Sequence, residues 1–169
     1  MKQRIQHSKG YSLIELLIYI ALFAILSVVL IQSLVTSFRV YAASQSYRRV
    51  QAEGELSMER IVREIRSATT ITTSTSTFDS SPGVLALVGT DSVGATRTVT
   101  FSVSNGQLQI NDNGTSGALT STKVSVGTLI FRKITTTYST AVKVELTLTT
   151  TVGQTLTSSF YDTVILRGK

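Results

Sequence analysis

Hydrophobic and polar positions divide the chain into three successive patterns, of which the first is almost entirely apolar. From Leu13 to Val35, polar residues interrupt the apolar run at four places only, namely Glu15, Ser27, Gln32 and Ser33. About 20 such residues in an α-helix, at roughly 1.5 Å rise each, span the hydrocarbon core of a bilayer, which is about 30 Å thick. The first pattern therefore predicts a membrane-spanning helix.

The second pattern is that of an amphipathic helix. Its apolar positions are spaced i, i+3, i+4, i+7 and i+10, at Met58, Ile61, Val62, Ile65 and Ala68. The i,i+4 charge pairs Glu59–Arg63 and Arg60–Glu64 are expected on the opposite, solvent-exposed side. We predict one continuous helix that ends near Ala68.

Gly54 is the only glycine between Tyr11 and Ala68, and no proline occurs in that stretch. A glycine inside a helix costs roughly 1 kcal/mol relative to alanine and often marks a bend. We therefore expect the weakest point of the long helix at Gly54.

The third pattern is the alternation of a half-buried antiparallel sheet. Residues 69–77 are rich in Thr and Ser and end the helix, as a loop or an edge strand. Asn105-Gly106 predicts a two-residue hairpin turn, and a change of parity across Gly127 predicts a β-bulge. Residues 112–117 are expected to form a loop. One face of the sheet is left for the amphipathic helix to cover, so the predicted fold class is α+β.

These patterns define four segments. We predict a basic leader over residues 1–10, a transmembrane and assembly helix over 11–35, its amphipathic continuation over 36–70, and a globular β-sheet domain over 71–169.

The charge balance weakens a nucleic-acid interpretation. The formal net charge is +6, but Lys2, Arg4 and Lys9 lie in the leader, and without it 13 basic residues face 10 acidic ones. The same three cations favour a cytoplasmic N-terminus. Downstream of the leader, one small basic patch is a candidate, with the members Lys123, Arg132, Lys133 and Lys143. A patch of this size is usually a solvated surface, so nucleic acid is not an expected partner.

Candidate catalytic chemistry is sparse. The chain has no cysteine, and its one histidine, His7, lies in the leader, so a mature chain would lack Ser-His triads, thiol nucleophiles and His-based zinc sites. We expect no enzyme activity, catalytic residue, metal or cofactor. Asp79, Asp112 and Asn113 offer oxygen ligands for Ca²⁺, but Asp and Asn are common in loops for turn reasons.

Three other interpretations compete for the apolar segment. A conventional signal peptide would be cleaved near Val40-Tyr41-Ala42, but its apolar region is usually about 7–15 residues long, and Arg39 precedes this site. The segment could also be an uncut single-pass anchor, which would make the protein a membrane-anchored extracytoplasmic binding domain. A buried helix of a soluble protein is disfavoured by the length of the run.

Glu15 distinguishes this segment from an ordinary anchor. A carboxylate inside a membrane helix costs on the order of 2.5–3.5 kcal/mol and less near the interface, so it usually faces a partner. If the chain is cut after Gly10, the new α-amine of Tyr11 lies one helical turn from Glu15. In a helical assembly that amine can meet the carboxylate of a neighbouring subunit. Alternatively, Glu15 extends to the lipid headgroups and has no further role.

The sequence Lys9-Gly10-Tyr11-Ser12-Leu13-Ile14-Glu15, followed by the apolar run, resembles the N-terminal signature of type IV pilins and of type II secretion pseudopilins. The resemblance implies cleavage after Gly10 by a prepilin peptidase, N-methylation of Tyr11, and a role for Glu15 as the assembly carboxylate. It also implies a long N-terminal helix on an antiparallel sheet.

The same resemblance implies partners and a location. The partners are other pilin or pseudopilin subunits, the inner-membrane assembly platform and membrane lipid. The implied location is the bacterial cytoplasmic membrane, with a single N-in/C-out span, followed by an extracytoplasmic filament.

Two differences from typical major pilins indicate which kind of family member the chain resembles. The apolar segment lacks the kinking proline of major pilins, since the only proline is Pro82, and the chain lacks the C-terminal cysteine pair of many pilins. Residues 58–66, 142–148 and 163–167 resemble J-type minor pseudopilins and W-type minor pilins, which help to prime filament assembly. A minor subunit is therefore expected.

Overall fold

The computed structural model describes residues 12–167, which form one helix and eight strands. The helix α1 is Leu13–Ser67, and the strands are β1 (Thr70–Ile71), β2 (Leu85–Thr90), β3 (Thr96–Ser104), β4 (Gln107–Asp112), β5 (Thr115–Ala118), β6 (Val124–Thr135), β7 (Thr140–Thr150) and β8 (Thr157–Ile165). The chain divides into an N-terminal unit, Met1–Tyr41, and a C-terminal unit, Ala42–Lys169. The boundary between the two units falls within α1.

The strands form two antiparallel sheets, whereas the sequence pattern predicted one. A five-stranded sheet has the order β1-β2-β3-β4-β5, and a three-stranded sheet has the order β6-β7-β8. Alternation along each strand shows which side chains point inward, but it does not show whether two consecutive strands pair. The break between β5 and β6 therefore could not be predicted from the strand pattern.

The sheets are joined by backbone hydrogen bonds that lie outside their ladders. The Val126 N–H donates to the Gly106 carbonyl, which lies in the β3–β4 turn, at 2.7 Å. The connection that precedes β2 also bonds to β6, through the Asp79 N–H to the Phe131 carbonyl at 2.9 Å. These bonds satisfy polar backbone groups where the sheets meet.

The turn predicted at Asn105-Gly106 and the bulge predicted at Gly127 are both confirmed. Asn105 and Gly106 have φ angles of 53° and 73°, the left-handed conformation that a two-residue hairpin requires, and they join β3 to β4. The β6–β7 register shifts between Val126 and Thr128, so Gly127 is the extra residue of the bulge.

The loop predicted over residues 112–117 is wrong. Asp112 is the last residue of β4, Asn113 and Gly114 form a two-residue turn with φ angles of 48° and 91°, and Thr115 begins β5. All four residues of β5 are exposed, so this short edge strand has no hydrophobic alternation by which the sequence could have revealed it.

The amphipathic stripe of α1 packs on both sheets, which confirms the α+β fold of a long N-terminal helix on antiparallel strands. Ile61 and Ile65 are fully buried, and Met58 and Ala68 nearly so. One hydrophobic cluster joins these helix residues to side chains from both sheets, among them Leu85, Phe101, Leu129, Phe131, Leu146 and Leu148. The helix ends at Ser67, one residue before the predicted end.

Gly54 is buried, and the structure gives it a packing role. The ring of Phe160, from β8, occupies the space that a Cβ atom at position 54 would need. Glycine therefore lets the aromatic side chain of β8 approach the helix backbone closely. Gly54, where the low helix propensity of glycine predicts a weak point, is thus also where α1 closely contacts the three-stranded sheet.

Glu64 is not on the solvent-exposed side of α1 as predicted, because only 6% of its side chain is exposed. Its Oε1 atom lies 2.9 Å from Arg60 Nη2, the predicted i,i+4 partner, and its Oε2 atom lies 2.8 Å from Arg97 Nη1 on β3. Positions 61, 64, 65 and 68 share one helical face, so Glu64 belongs to the stripe itself. A buried carboxylate is tolerable there because two guanidinium groups pair with it.

Arg97 also holds Asp112 at the end of β4. Its Nε and Nη2 atoms donate to Asp112 Oδ1 at 2.8 Å and to Oδ2 at 2.6 Å. These hydrogen bonds lower the pKa of Asp112, and the same bonds, followed by those to Glu64, raise the pKa of Arg97. The arginine thereby connects α1 to two strands of the five-stranded sheet.

A second carboxylate of α1 holds the loop between β5 and β6. Glu53 accepts hydrogen bonds from the Ser121 N–H at 2.8 Å and from the Ser121 hydroxyl at 2.7 Å. Charge-assisted hydrogen bonds of this kind are roughly twice as strong as neutral ones. Glu53 and Glu64 therefore fix the helix to the strand region at two separate places.

Candidate assembly site

The described part of the N-terminal unit is an exposed apolar helix. An 18-residue window of α1 reaches a mean hydropathy of 2.8, and none of that window is buried within the protein. A buried helix of a soluble protein would be covered by its own chain, so the structure disfavours that interpretation. An apolar surface of this extent is typical of a membrane or protein contact.

Three hydroxyl groups in this part of α1 are satisfied within the helix. The hydroxyls of Ser27, Thr36 and Ser37 donate to backbone carbonyls four residues earlier, at 2.7, 2.9 and 3.0 Å. Such bonds let hydroxyl residues enter apolar surroundings without an external partner. Glu15 is the only Asp, Glu, Lys or Arg between Ser12 and Phe38, so it is the one strongly charged group of the segment.

Glu15 lies in the first turn of α1. The Leu16 N–H donates to the carbonyl of Ser12 at 3.1 Å, which makes Ser12 the residue that precedes the helix and Glu15 its third residue. Backbone N–H groups at a helix N-terminus favour a carboxylate there. The position in the first turn therefore suits an acidic side chain such as that of Glu15.

The hydroxyl of Tyr19 donates to Glu15 Oε1 at 3.1 Å. This partner was not identified from the sequence, although the i,i+4 spacing that brings Tyr19 over Glu15 was available there. The bond engages one oxygen of the carboxylate. In the described structure, Oε2 of Glu15 has no hydrogen-bonding partner.

Gly10 and Tyr11, the predicted cleavage and methylation positions, lie outside the described residues. Their relation to Glu15 therefore stays a prediction.

The carboxylates suggested as Ca²⁺ ligands are engaged by arginine side chains. Asp112 pairs with Arg97, and Asp79 Oδ1 lies 3.0 Å from Arg132 Nη1. Over residues 12–167, no group of three or more His, Cys, Asp or Glu side chains is arranged to hold a metal ion. The geometry thus gives Asp79 and Asp112 structural partners in place of a shared cation.

The small basic patch on and just before β6 and on β7 is also partly neutralised. Glu145 Oε1 lies 2.9 Å from Lys143 Nζ and 3.1 Å from Arg132 Nε. Hydrogen bonds from Lys143 and then from Arg132 lower the pKa of Glu145, while Glu145 raises the pKa of Arg132. Two of the four candidate cations for nucleic acid are therefore paired with carboxylates.

The fold and the exposed apolar helix define a class of protein, a helix-anchored chain with an α+β domain consistent with a pilin-like arrangement. Residues 5–31 match the family described as "Prokaryotic N-terminal methylation motif", a range that includes Gly10, Tyr11 and Glu15. The match supports a prepilin-like, membrane-anchored chain of the type IV pilin and pseudopilin family. It indicates a structural subunit, associated with other pilin subunits and with prepilin peptidase.

No curated protein and no solved structure matches the chain.

Proposed function

We propose that this chain is a minor pilin or pseudopilin, processed after Gly10 and assembled into a type IV pilus or a type II secretion pseudopilus, where it helps to prime filament assembly. The observation that carries the proposal is the methylation motif over residues 5–31, with Glu15 in the first turn of an exposed apolar helix. The leader would be removed, and Tyr11 would carry the methylated amine.

Before assembly, the chain would span the cytoplasmic membrane once, with its N-terminus inside and its sheets outside. The leader cations Lys2, Arg4 and Lys9 support this orientation. Lipid would cover the exposed apolar helix at this stage, and subunits of the filament would cover it later. The assembly platform of the inner membrane would draw the chain from one environment to the other.

Glu15 would set the position of the chain relative to its neighbours. Tyr19 engages Oε1, which leaves Oε2 for the α-amine of a neighbouring subunit. An ion pair in apolar surroundings is strongly destabilised when one partner is removed, by about 3–5 kcal/mol, so neighbouring subunits would favour the register in which both charges are paired. The role of this carboxylate is therefore binding, with no turnover of a substrate.

Support for a minor subunit comes from the composition of the chain. The apolar segment has no proline and the chain has no cysteine, unlike typical major pilins. Residues 58–66 and 163–167 resemble minor subunits of the J and W types, and both stretches contribute to the folded C-terminal unit.

Mass spectrometry of the mature N-terminus tests the proposal against its alternative, an uncleaved membrane-anchored binding domain. In a cell with prepilin peptidase, we expect the chain to begin at a methylated Tyr11. A chain that still begins at Met1 under these conditions would refute the pilin interpretation.

The role of Glu15 is tested by Glu15→Val. We expect normal membrane insertion, since the substitution removes a charge from an apolar segment, but incorporation into filaments reduced at least about tenfold, consistent with loss of a desolvated ion pair. Gln32→Leu is the matched control, because it also replaces a polar residue of the same segment, and it should assemble normally. Equal incorporation of both variants would remove Glu15 from the mechanism.

A further inference from the structure

A groove with a volume of about 430 Å³ lies in the C-terminal unit, where the last turns of α1 meet the residues that follow β8. It is lined by Glu59, Val62, Arg63, Arg66, Ser67 and Arg167. We call it the arginine groove. It brings together residues 58–66 and 163–167, two stretches that are far apart in the chain.

The arginine groove carries an excess of positive charge. Three guanidinium groups line it, and Glu59 is its one carboxylate. Glu59 Oε1 lies 3.6 Å from Arg63 Nη2, and both side chains are more than half exposed, so this pair is a weak one. Within residues 12–167, neither Arg66 nor Arg167 has a carboxylate within salt-bridge distance.

The helix dipole and the i,i+4 pair with Glu59 explain Arg66 and Arg63 one at a time, but they do not explain the convergence of three arginines in one groove. Arg66 lies in the last turn of α1, where a cation interacts favourably with the helix dipole. That argument does not apply to Arg167, which follows β8, or to Arg63, which lies a turn earlier. Like charges that line a concave surface repel one another and raise the local potential, which attracts an anionic group.

We propose that the arginine groove binds a carboxylate-bearing segment of a second filament subunit. Guanidinium groups recognise carboxylates through paired N–H donors. The two arginines that have no carboxylate partner among residues 12–167 match two acidic side chains of another subunit. Val62 is half-buried and supplies an apolar wall against which the methylene groups of such side chains can pack. This inference rests on the proposed function, which places the chain beside other subunits.

The groove suits a short peptide segment better than a nucleic acid. Its cationic surface consists of three arginines, which suffice for one or two acidic side chains. A nucleic acid gains its affinity from many phosphate contacts along an extended basic track, whereas this cluster is confined to one groove.

The first experiment identifies the partner carboxylate by zero-length cross-linking. In the full-length chain, Arg66→Lys and Arg167→Lys keep the positive charge and introduce an amine that a carbodiimide can join to a carboxylate. In assembled filaments, we expect cross-linked peptides that connect residue 66 or 167 to an Asp or Glu of another subunit. Lys133 is exposed and lies outside the groove, so it serves as an internal control. Cross-linking at positions 66 and 167 no greater than at Lys133 would overturn the proposal.

The second experiment reverses the charge. Arg66→Glu combined with Arg167→Glu should reduce incorporation into filaments about tenfold, a typical effect of removing interface arginines, while membrane level and N-terminal processing stay unchanged. Lys133→Glu is the matched control and should assemble normally. Both arginines of the double variant are exposed, and the reversed charge at position 66 loses only the favourable interaction with the helix dipole, so its thermal unfolding midpoint should fall by no more than about 5 °C.

The outcomes separate this inference from the proposed function. If the wild-type chain enters filaments and the double variant enters them equally well, only the arginine groove proposal fails. If the wild-type chain is never processed or never enters filaments, the proposed function fails and this inference fails with it. Salt-sensitive binding of a short DNA duplex that the double variant loses would replace a peptide partner by a nucleic acid.

Discussion

Replacing Arg97 by methionine is expected to destabilise the C-terminal unit by about 3 kcal/mol. Arg97 donates hydrogen bonds to Glu64 at 2.8 and 3.2 Å and to Asp112 at 2.8 and 2.6 Å. Removing one partner of a buried ion pair costs about 3–5 kcal/mol. The lower end applies here, because Glu64 keeps Arg60 at 2.9 Å and because Asp112 is 36% exposed and can be solvated.

Thermal unfolding of the full-length chain in detergent micelles, followed by far-ultraviolet circular dichroism, measures this effect. For a unit of this size, we expect the midpoint to fall by about 10 °C. Arg63→Met is the control, since Arg63 is 60% exposed and pairs only loosely with Glu59, and it should change stability by less than about 0.5 kcal/mol.

A double-mutant cycle tests whether the effect comes from the Arg97–Glu64 pair. Because methionine at both positions removes the buried charge together with its partner, the double variant Glu64→Met, Arg97→Met should be more stable than the sum of the two single effects, by about 2 kcal/mol. Strict additivity, or an Arg97→Met variant as stable as the Arg63→Met control, would refute the assignment of Glu64 as a buried, arginine-dependent carboxylate.

Two further predictions concern packing and pH. Gly54→Ala should destabilise the wild type by about 1 kcal/mol, because the clash with Phe160 outweighs a helix-propensity gain of about 1 kcal/mol. In a Phe160→Ala background, where the clash is removed, the same substitution should stabilise the protein by about that gain. Equal effects in both backgrounds would contradict the contact. Arg97 lowers the pKa of Asp112 in the folded state, so the stability that this carboxylate contributes is present above its ordinary pKa of about 3.9 and is lost as the pH falls through the lowered value. The difference in unfolding midpoint between the wild type and Asp112→Asn should therefore be constant from pH 7 to about pH 5 and shrink progressively below about pH 4. A difference that stays the same from pH 5 to pH 2 would contradict this origin.

The sequence predicted those elements of the fold that are determined by residues close together in the chain. The stripe at Met58, Ile61 and Ile65 identifies the buried face of α1, and Asn105-Gly106 and Gly127 identify a turn and a bulge. Each depends on residues a few positions apart.

Features that depend on distant residues could not be predicted. The contact of Phe160 with Gly54 and the pairing of Glu64 with Arg97 each join residues more than 30 positions apart. The division into two sheets arises because β5 and β6 do not pair, although they follow one another in the chain. The i,i+4 pair with Arg60 predicts Glu64 on the side opposite the apolar stripe. Its spacing from Ile61 and Ile65 placed it on the buried face, and only the fold shows the arginine that makes this tolerable.

In the candidate assembly site, too, features that depend on neighbouring residues could be predicted and those that depend on distant residues could not. Glu15 and the apolar run could be identified because they form one continuous stretch, and Tyr19 could have been found by its i,i+4 spacing. The arginine groove could not, since Arg66 and Arg167 come together only through the docking of α1 on the strands.

The hydrophobic core and the exposed apolar surface lie in different units of the chain. The hydrophobic cluster draws its members from Val50 onward, so the core of the C-terminal unit is complete without any described residue of the N-terminal unit. The apolar window of α1, by contrast, buries none of its surface within the protein. Because exposed apolar surface of this extent is unfavourable in water, a bilayer or other protein chains must cover it. Substitutions at Glu15 should therefore alter assembly and leave the fold intact, whereas substitutions at Arg97 should destabilise the fold and leave membrane insertion intact.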